Sequence, residues 1–356
     1  MEYTALQDVC KINMGQSPDS SSYNEEGRGI PFFQGNADFG ERNPVTRVWC
    51  DAPSKIANAN DILISVRAPI GAVNYATETC CIGRGLAAIT PDLNRVSSEY
   101  VFWLLKGKNT ELNSKGTGST FKAINRKALE KIQVPDVSLE EQAAQAANLE
   151  TAYKIIHMRK QQLSSLDDLI KARFVEMFGD CRINPKAWNT VELGEISDVG
   201  SSKRVFVEEL RETGIPFYRG TEVGALAEGK AITPELFITR EHYEELIEAT
   251  GTPLVGDLLM PSICPDGRIW VVDTEEPFYF KDGRVLWVHS ISKEFDPVFL
   301  LYTLKDRIMT DYSSIASGTT FAELKIFALK QCRVFAVPMD LQKQFVSFVK
   351  QIDKSK

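Results

Sequence analysis

The sequence predicts an α+β fold: two repeated, mixed α/β domains separated by long helices that pair as an antiparallel coiled coil. Three observations predict it. A block near the N-terminus recurs in the second half of the chain. A stretch without glycine or proline lies between the two copies. A shorter amphipathic run closes the chain.

Internal repetition resets every other inference, so it is weighed first. Gly29-Ile30-Pro31-Phe32-Phe33-Gln34-Gly35 recurs as Gly214-Ile215-Pro216-Phe217-Tyr218-Arg219-Gly220. Further matches follow in the same order. Asp61-Ile62-Leu63-Ile64 corresponds to Asp257-Leu258-Leu259-Met260, and Val101-Phe102 to Val298-Phe299. Gly118-Ser119-Thr120-Phe121 corresponds to Gly318-Thr319-Thr320-Phe321, and Leu129 and Pro135 to Leu329 and Pro338. The offset drifts from 185 to 203 residues, as small insertions between blocks would make it do. Two copies kept only for stability would give the same pattern. Loops that diverge over a common frame point instead to two related jobs.

Within each copy, Ile62 to Val66 and Leu286 to Val288 read as short buried strands. Tyr100 to Lys106 and Val298 to Lys305 read as short helices. Ala68-Pro69-Ile70-Gly71 and Lys281-Asp282-Gly283 are turn signals between such elements. Residues 1–137 and 181–337 are therefore expected to be the two α+β domains.

Residues 138–180 are expected to be a long spacer helix. Ala, Leu, Glu, Gln and Lys dominate the segment from Ser138 to Phe178, and these are strong helix formers. Ser138 and Glu141 have capping-box spacing, and Gly179 is a plausible stop. Apolar residues at Leu149, Ala152, Ile156, Leu163, Leu166, Ile170 and Met177 follow a three-four alternation, a coiled-coil seam. At about 1.5 Å per residue the rod is roughly 60 Å long. Residues 338–356 form the second, shorter spacer helix, with Leu341, Phe345, Phe348 and Ile352 on one side. Packing antiparallel on the first helix is the simplest arrangement. The alternative is an independent amphipathic helix lying on its own domain. The seam residues, Phe174 included, are the expected subunit interface.

Composition narrows the function. The 356 residues are 43% hydrophobic and 25% charged, as in a soluble globular protein, and the net charge is −7. Bulk positive charge cannot be what binds a nucleic acid here. Residues 1–137 carry 15 basic and 15 acidic groups, whereas residues 181–337 carry 17 and 24. Acidic pairs such as Glu208-Glu209, Glu244-Glu245 and Glu275-Glu276 would repel phosphate and are expected to lie away from it. The N-terminus Met1-Glu2-Tyr3-Thr4 lacks the form of a signal peptide, and no apolar run approaches a membrane span. Seven cysteines without framework spacing read as reduced thiols in the cytoplasm.

Catalytic patterns are missing. His157, His242 and His289 have no cysteine or carboxylate at metal-ligand spacing, so no metal is expected. There is no Walker-type phosphate loop. The Asn/Asp-Pro-Pro-aromatic tetrapeptide used by amino-methyltransferases is absent; Asn43-Pro44-Val45 and Asn184-Pro185-Lys186 both fail it. Asp311 followed by Glu323-Leu324-Lys325 has the order of a nuclease metal site, but the first copy carries no carboxylate in the matching stretch. No catalytic residue and no cofactor are expected.

The candidates for DNA contact are polar loops on fixed backbone. In the first copy they are Gln16, Ser17, Gln34, Asn36, Arg67 and Arg84, together with Lys115, Ser119, Thr120 and Lys122. Gln and Asn pair bidentately with adenine, and Arg suits guanine edges and phosphate. Lys115 to Lys122 mixes lysines, hydroxyls and glycines ahead of a helix, a phosphate cradle. In the second copy they are Ser202, Lys203, Arg204, Arg219, Thr221, Arg268, Lys281, Arg284, Thr319 and Thr320. Each alone fits an ordinary solvated loop. Recurrence at matched positions favours contact for the set.

The order globular copy, long helix, globular copy, shorter helix resembles the specificity subunits of type I restriction-modification systems. Gly29-Ile30-Pro31-Phe32, Ile64-Ser65-Val66-Arg67, Gly118 to Ile124, Ile132-Gln133-Val134-Pro135 and Lys171 to Gly179 carry the resemblance, which covers nearly the whole chain. It implies that each copy is a target-recognition domain for half of a bipartite, asymmetric site in double-stranded DNA, with the helices as ruler. It implies two modification (methyltransferase) subunits and ATP-dependent restriction subunits as partners. The short second helix departs from the pattern, through truncation or an unusual end. Other readings are a specificity module of a fused or separate nuclease-methyltransferase, and a protein-only scaffold.

Overall fold

The computed structural model describes residues 2–116, 122–318 and 322–356. They fall into two compact units, Met1–Arg159 and Lys160–Lys356. Each unit carries one copy of the repeat and part of the long helix.

In the first unit an antiparallel sheet runs in the order Cys10–Met14, Leu86–Pro91, Ile62–Ser65, Val73–Tyr75. Ile89 stands opposite Ile12 on one side and Ile62 on the other. Alternate residues of the Ile62–Ser65 strand serve different cores. Ile62 and Ile64 pack with Val101, Phe102 and Leu105 of the helix Ser98–Gly107. Leu63 packs with Phe33 and Ile82 of a second sheet. A strand buried on both faces needs a continuous apolar run, which is why Ile62-Leu63-Ile64 shows no polar alternation. In the second sheet Ile30–Phe33 pairs in parallel with Cys80–Ile82, Phe32 opposite Cys81 and Phe33 opposite Ile82.

The second unit repeats the plan. Its antiparallel sheet is ordered Asp198–Gly200, Val285–His289, Leu258–Pro261, Trp270–Val271. Leu258 and Met260 pack with Leu300 and Leu304, while Leu259 packs with Val223, Phe280 and Trp287. Ile215–Tyr218 and Tyr279–Phe280 form the matching parallel pair. The helix expected over Val298 to Lys305 extends over Pro297–Ile315. Its charged run does not end it, because Ile308 is fully buried and Arg307 bridges Asp311 one turn on at 3.0 Å.

Repeat equivalence holds down to single hydrogen bonds. Asp61 Oδ2 accepts from Asn58 N at 2.8 Å, and Asp257 Oδ2 from Leu254 N at 2.9 Å. Gln142 and Gln342, both buried, act alike. Gln142 Oε1 accepts from Ser97 N, and Gln342 Oε1 from Asp296 N, each at 2.8 Å. Ser97 and Asp296 are the N-caps of the two repeat helices. Two expected matches shift. With Ser97 equivalent to Asp296, Val101-Phe102 falls opposite Leu300-Leu301 and not Val298-Phe299. Leu6 N donates to Ile132 O, and Leu193 N to Cys332 O. Ala5 pairs with Gln133, and Glu192 with Arg333. Pro135 therefore corresponds to Phe335 and not to Pro338, which caps the last helix.

The long helix spans Leu139–Phe178, 40 residues. Its capping box is formed: Glu141 N donates to Ser138 Oγ at 3.2 Å and Ser138 N to Glu141 Oε2 at 3.0 Å. Gly179 ends it at φ +89°, left-handed backbone that favours glycine. The buried stripe differs from the single expected seam. In the first unit it runs through Gln142, Ala146, Glu150, Tyr153 and His157, buried or half-buried. Leu149 and Ile156 lie one position away and are 48% and 54% exposed. In the second unit Ile170, Phe174 and Phe178 are buried, Leu163 and Leu166 half-buried.

The C-terminal helix Met339–Asp353 covers that second stretch, with Leu341, Phe348 and Ile352 at the margin of the shared core. Phe345 meets Phe174 and Phe178 at ring-centroid distances of 5.5 and 5.7 Å. Lys356 Nζ lies 2.7 Å from Asp167. Rising numbers on one helix meet falling numbers on the other, so the pair is antiparallel.

Candidate nucleic-acid interface

Parallel pairing carries the C-terminal ends of two strands to one edge. In the first unit this brings Gln34, after Phe33, beside Gly83-Arg84-Gly85, after Ile82. A Cβ on Gly83 would stand 2.5 Å from Gln34 Oε1, and one on Gly85 2.4 Å from the Gln34 carbonyl oxygen. At Gly85, where the facing atom is backbone, only glycine permits that approach. Ser17 Oγ accepts from Gln34 Nε2 at 2.9 Å and from Arg84 N at 3.3 Å, and Gln16 N donates to Ile82 O. The neighbouring sheet adds Ser65 and Arg67, with Val66 N donating to Gly85 O at 2.9 Å. The result is a cavity of about 190 Å³ lined by Gln34, Asn36, Ser65, Arg67 and Arg84 among others. Lys122 joins the same edge, its carbonyl accepting from Ala68 N. Arg67 and Arg84 are exposed, and among the described residues neither has an ion-pair partner.

Lys115 lies apart, paired with Glu111 at 2.6 Å. Hydrogen bonds from Lys108 and Lys115 pull the Glu111 carboxyl down to about 2. Ser119, Thr120, Thr319 and Thr320 lie outside the described residues.

The second unit builds the equivalent edge from Arg219, after Tyr218, and Lys281, after Phe280. Its cavity is larger, about 520 Å³. Leu210, Phe217, Leu236 and Ile263 line it together with Arg219, Thr221, Arg268, Lys281 and Arg284. Every cation here is paired. Arg219 meets Glu222 at 2.6 Å and Glu235 at 3.1 Å. Arg268 meets Asp266 at 2.8 Å, Lys281 meets Asp282 at 3.5 Å, and Arg284 meets Glu323. Burial alone would raise the Glu222 carboxyl, but hydrogen bonds from the Arg219 side chain, the backbone and Thr221 hold it at about 2. That value lies below its ordinary 4.5, so the pair stays charged at neutral pH and its contribution is lost only as acid drives the pH down toward 2.

Ser202 is committed to the fold, donating to Phe280 O at 2.6 Å. Lys203 is exposed beside it, and Arg204 reaches Asp282 at 3.1 Å. The acidic partners Glu222, Glu235, Asp266 and Glu323 were not singled out as contact residues. Charge in a sequence shows no pairing. Asp311 and Glu323, whose order resembles a nuclease site, are ion-paired: Asp311 bridges Arg307, and Glu323 bridges Arg284 and Lys325. No group of three or more His, Cys, Asp or Glu suited to a metal exists among the described residues. All seven cysteines are free, and burial pushes the Cys10, Cys80 and Cys264 thiols up to about 12. No helix among the described residues is long and apolar enough to cross a membrane.

Sequence reading also missed Arg42. Its guanidinium lies over the rings of Phe102 at 4.6 Å and Trp103 at 5.5 Å, bridges Glu99 at 3.1 Å and bridges Glu150 of the long helix. Neighbouring Glu41 meets His157 at 3.0 Å. The loop that leaves Asn36 is thus tied to the long helix. Arg42→Ala is expected to lower stability by roughly 2–3 kcal/mol, from the lost cation–π contact and charge-assisted hydrogen bonds. Arg42→Lys should recover only part, lacking the planar fork. Denaturant titration measures both, and an unchanged midpoint for Arg42→Ala would remove the clamp.

The chain matches the family described as Type I restriction modification DNA specificity domain over residues 1–167 and 185–356. It is 44% identical over 157 residues to a Methanocaldococcus jannaschii protein named for the MjaX type I restriction enzyme specificity subunit, covering 44% of this chain and 37% of that protein. It is 24% identical to the MjaIX specificity subunit of the same organism, over 98% of this chain and 85% of that one. The chain thus spans little more than a third of the first relative's length and most of the second's. A crystal structure of the type I restriction-modification S subunit from M. genitalium shares the fold, with TM-score 0.57 at 16% identity over 99% of this chain and 89% of that one.

Proposed function

The chain belongs to the type I restriction modification DNA specificity family, and from that premise we propose that it is the DNA-reading subunit of a type I restriction-modification complex. Each unit reads one half of a bipartite target in double-stranded DNA. The observation that carries this reading is the pair of repeat-equivalent cavities. Both stand at the C-terminal ends of a parallel strand pair, and both are lined by side chains able to address base edges and phosphates: Gln34, Asn36, Arg67 and Arg84 in one, Arg219, Arg268, Lys281 and Arg284 in the other.

The chain supplies recognition and no catalysis. Its sequence lacks a phosphate loop and a methyltransferase tetrapeptide. Chemistry belongs to two modification subunits and to ATP-dependent restriction subunits, in the cytoplasm where the DNA is. Leu149 and Ile156, exposed on the long helix, and Leu163 and Leu166, half-buried there, offer apolar surface to those partners. Partner surfaces also supply the positive charge that a chain of net −7 lacks. Mapping methylated bases in cells that carry this chain with its modification subunit tests the reading. One asymmetric motif in two parts, with a gap of fixed length, is expected. An uninterrupted motif, or none, would overturn it.

A further inference from the structure

The two cavities treat their arginines differently. In the first unit Arg67 and Arg84 have no carboxylate partner among the described residues. In the second, Glu222 and Glu235 engage most of the Arg219 fork. Arg219 Nε lies 3.2 Å from Glu222 Oε2, and Nη2 lies 2.6 Å from Glu222 Oε1 and 3.1 Å from Glu235 Oε2. The Arg219 backbone N–H also donates to Glu222 at 2.8 Å, and Thr221 Oγ1 donates to the same carboxylate at 2.9 Å. Nη1 alone of the guanidinium nitrogens has no hydrogen-bond partner among the described residues.

An arginine held this way has lost most of its pull on phosphate. A carboxylate within 3 Å cancels the charge that would displace counterions. It keeps direction, because the planar group is pinned and its free nitrogen aimed by the pair. Charge without direction binds any DNA, whereas direction without charge discriminates. The free Nη1 can donate only to an acceptor, and the base edge richest in acceptors is that of guanine, whose O6 and N7 lie side by side in the major groove and offer it a single hydrogen bond at either position.

We propose that Glu222 and Glu235 are specificity-determining positioning residues: they neutralise and aim Arg219 so that the second unit reads a guanine edge instead of gripping a phosphate. The inference rests on the reading of the chain as a DNA-specificity subunit. It assigns a role to acidic side chains inside the contact surface, where like charge to DNA would otherwise be unfavourable.

The test uses the full chain assembled with its modification subunit, on duplexes carrying the mapped target or a target with one half-site scrambled, over a salt series. Glu222→Gln is expected to strengthen binding to scrambled DNA and steepen the salt dependence by about 0.9 in log–log slope, the increment for neutralising one more phosphate. Discrimination at one guanine of the second half-site should fall by roughly 2- to 13-fold, the worth of the single hydrogen bond that Nη1 can make. Glu235→Gln, at an exposed position, should move the same quantities less and in the same direction. In an Arg219→Ala background neither substitution should change discrimination at that guanine any further. If Glu222→Gln weakens target and scrambled DNA together along with a lower melting temperature, and Glu235→Gln changes nothing, the carboxylates only support the fold and the inference is overturned. Wild-type complex that fails to tell target from scrambled DNA would instead remove the functional reading on which the inference stands.

Discussion

Phe345→Ala is expected to destabilise the second unit by about 3–5 kcal/mol, the usual range for removing a buried aromatic side chain. Phe345 is fully buried, and its ring meets those of Phe174, Phe178 and Tyr302 at 5.5, 5.7 and 5.2 Å. Alanine there leaves a cavity walled by rings on neighbouring helices that cannot collapse without moving the helix pair. Ile156→Ala should change stability by less than about 0.5 kcal/mol, because the side chain is already in water. Denaturant unfolding of both variants measures the contrast. Equal effects would mean that the long helix is covered at Ile156 as it is at Phe174, and the exposure of Ile156 described above would fail.

That contrast shows where sequence reading stops. Helical spacing identified the rod, its capping box and its glycine stop, because these depend on residues within a turn of each other. The same spacing placed Leu149 and Ile156 in a continuous seam. Spacing tells which residues share a face, and it says nothing about whether anything lies against that face. Within the first unit the helix packs through Gln142, Ala146 and Tyr153, and within the second through Ile170, Phe174 and Phe178. Gln142 and Gln342 were invisible for a related reason. A glutamine on an amphipathic helix reads as solvated until a buried helix cap is found to need it.

The contact surface divides in the same way. The repeated Gly-Ile-Pro-Phe block led directly to Gln34 and Arg219, because the block is the parallel strand that ends at the cavity. Arg67, Arg84 and Arg268 come from other segments, and strand pairing is what gathers them. Carboxylate partners were the least legible part. Glu323 stood out only as half of an apparent metal site, yet it is the ion-pair partner of Arg284.

Independent half-site reading leads to the second large effect. Arg67→Ala or Gln34→Ala should relax the base preference of one half of the target only, and Arg219→Ala or Arg268→Ala that of the other half only. The two cavities have no lining residue in common and belong to different compact units. Contributions from sites without shared partners add. Each lost base contact should cost about 1–3 kcal/mol at one position, the usual cost of one mismatched base pair. Combining Arg67→Ala with Arg219→Ala should sum the two costs, and a complex of ordinary specificity would then lose most of its margin over non-specific DNA. Lys122→Ala should behave differently. A phosphate contact carries no sequence information, so its loss should weaken every site alike and reduce the salt slope by about 0.9. Sequencing methylated sites from cells carrying each variant reads out the first set, and binding over a salt series reads out the last. Degradation of both half-sites by Arg67→Ala alone would replace two independent readers with a single composite surface.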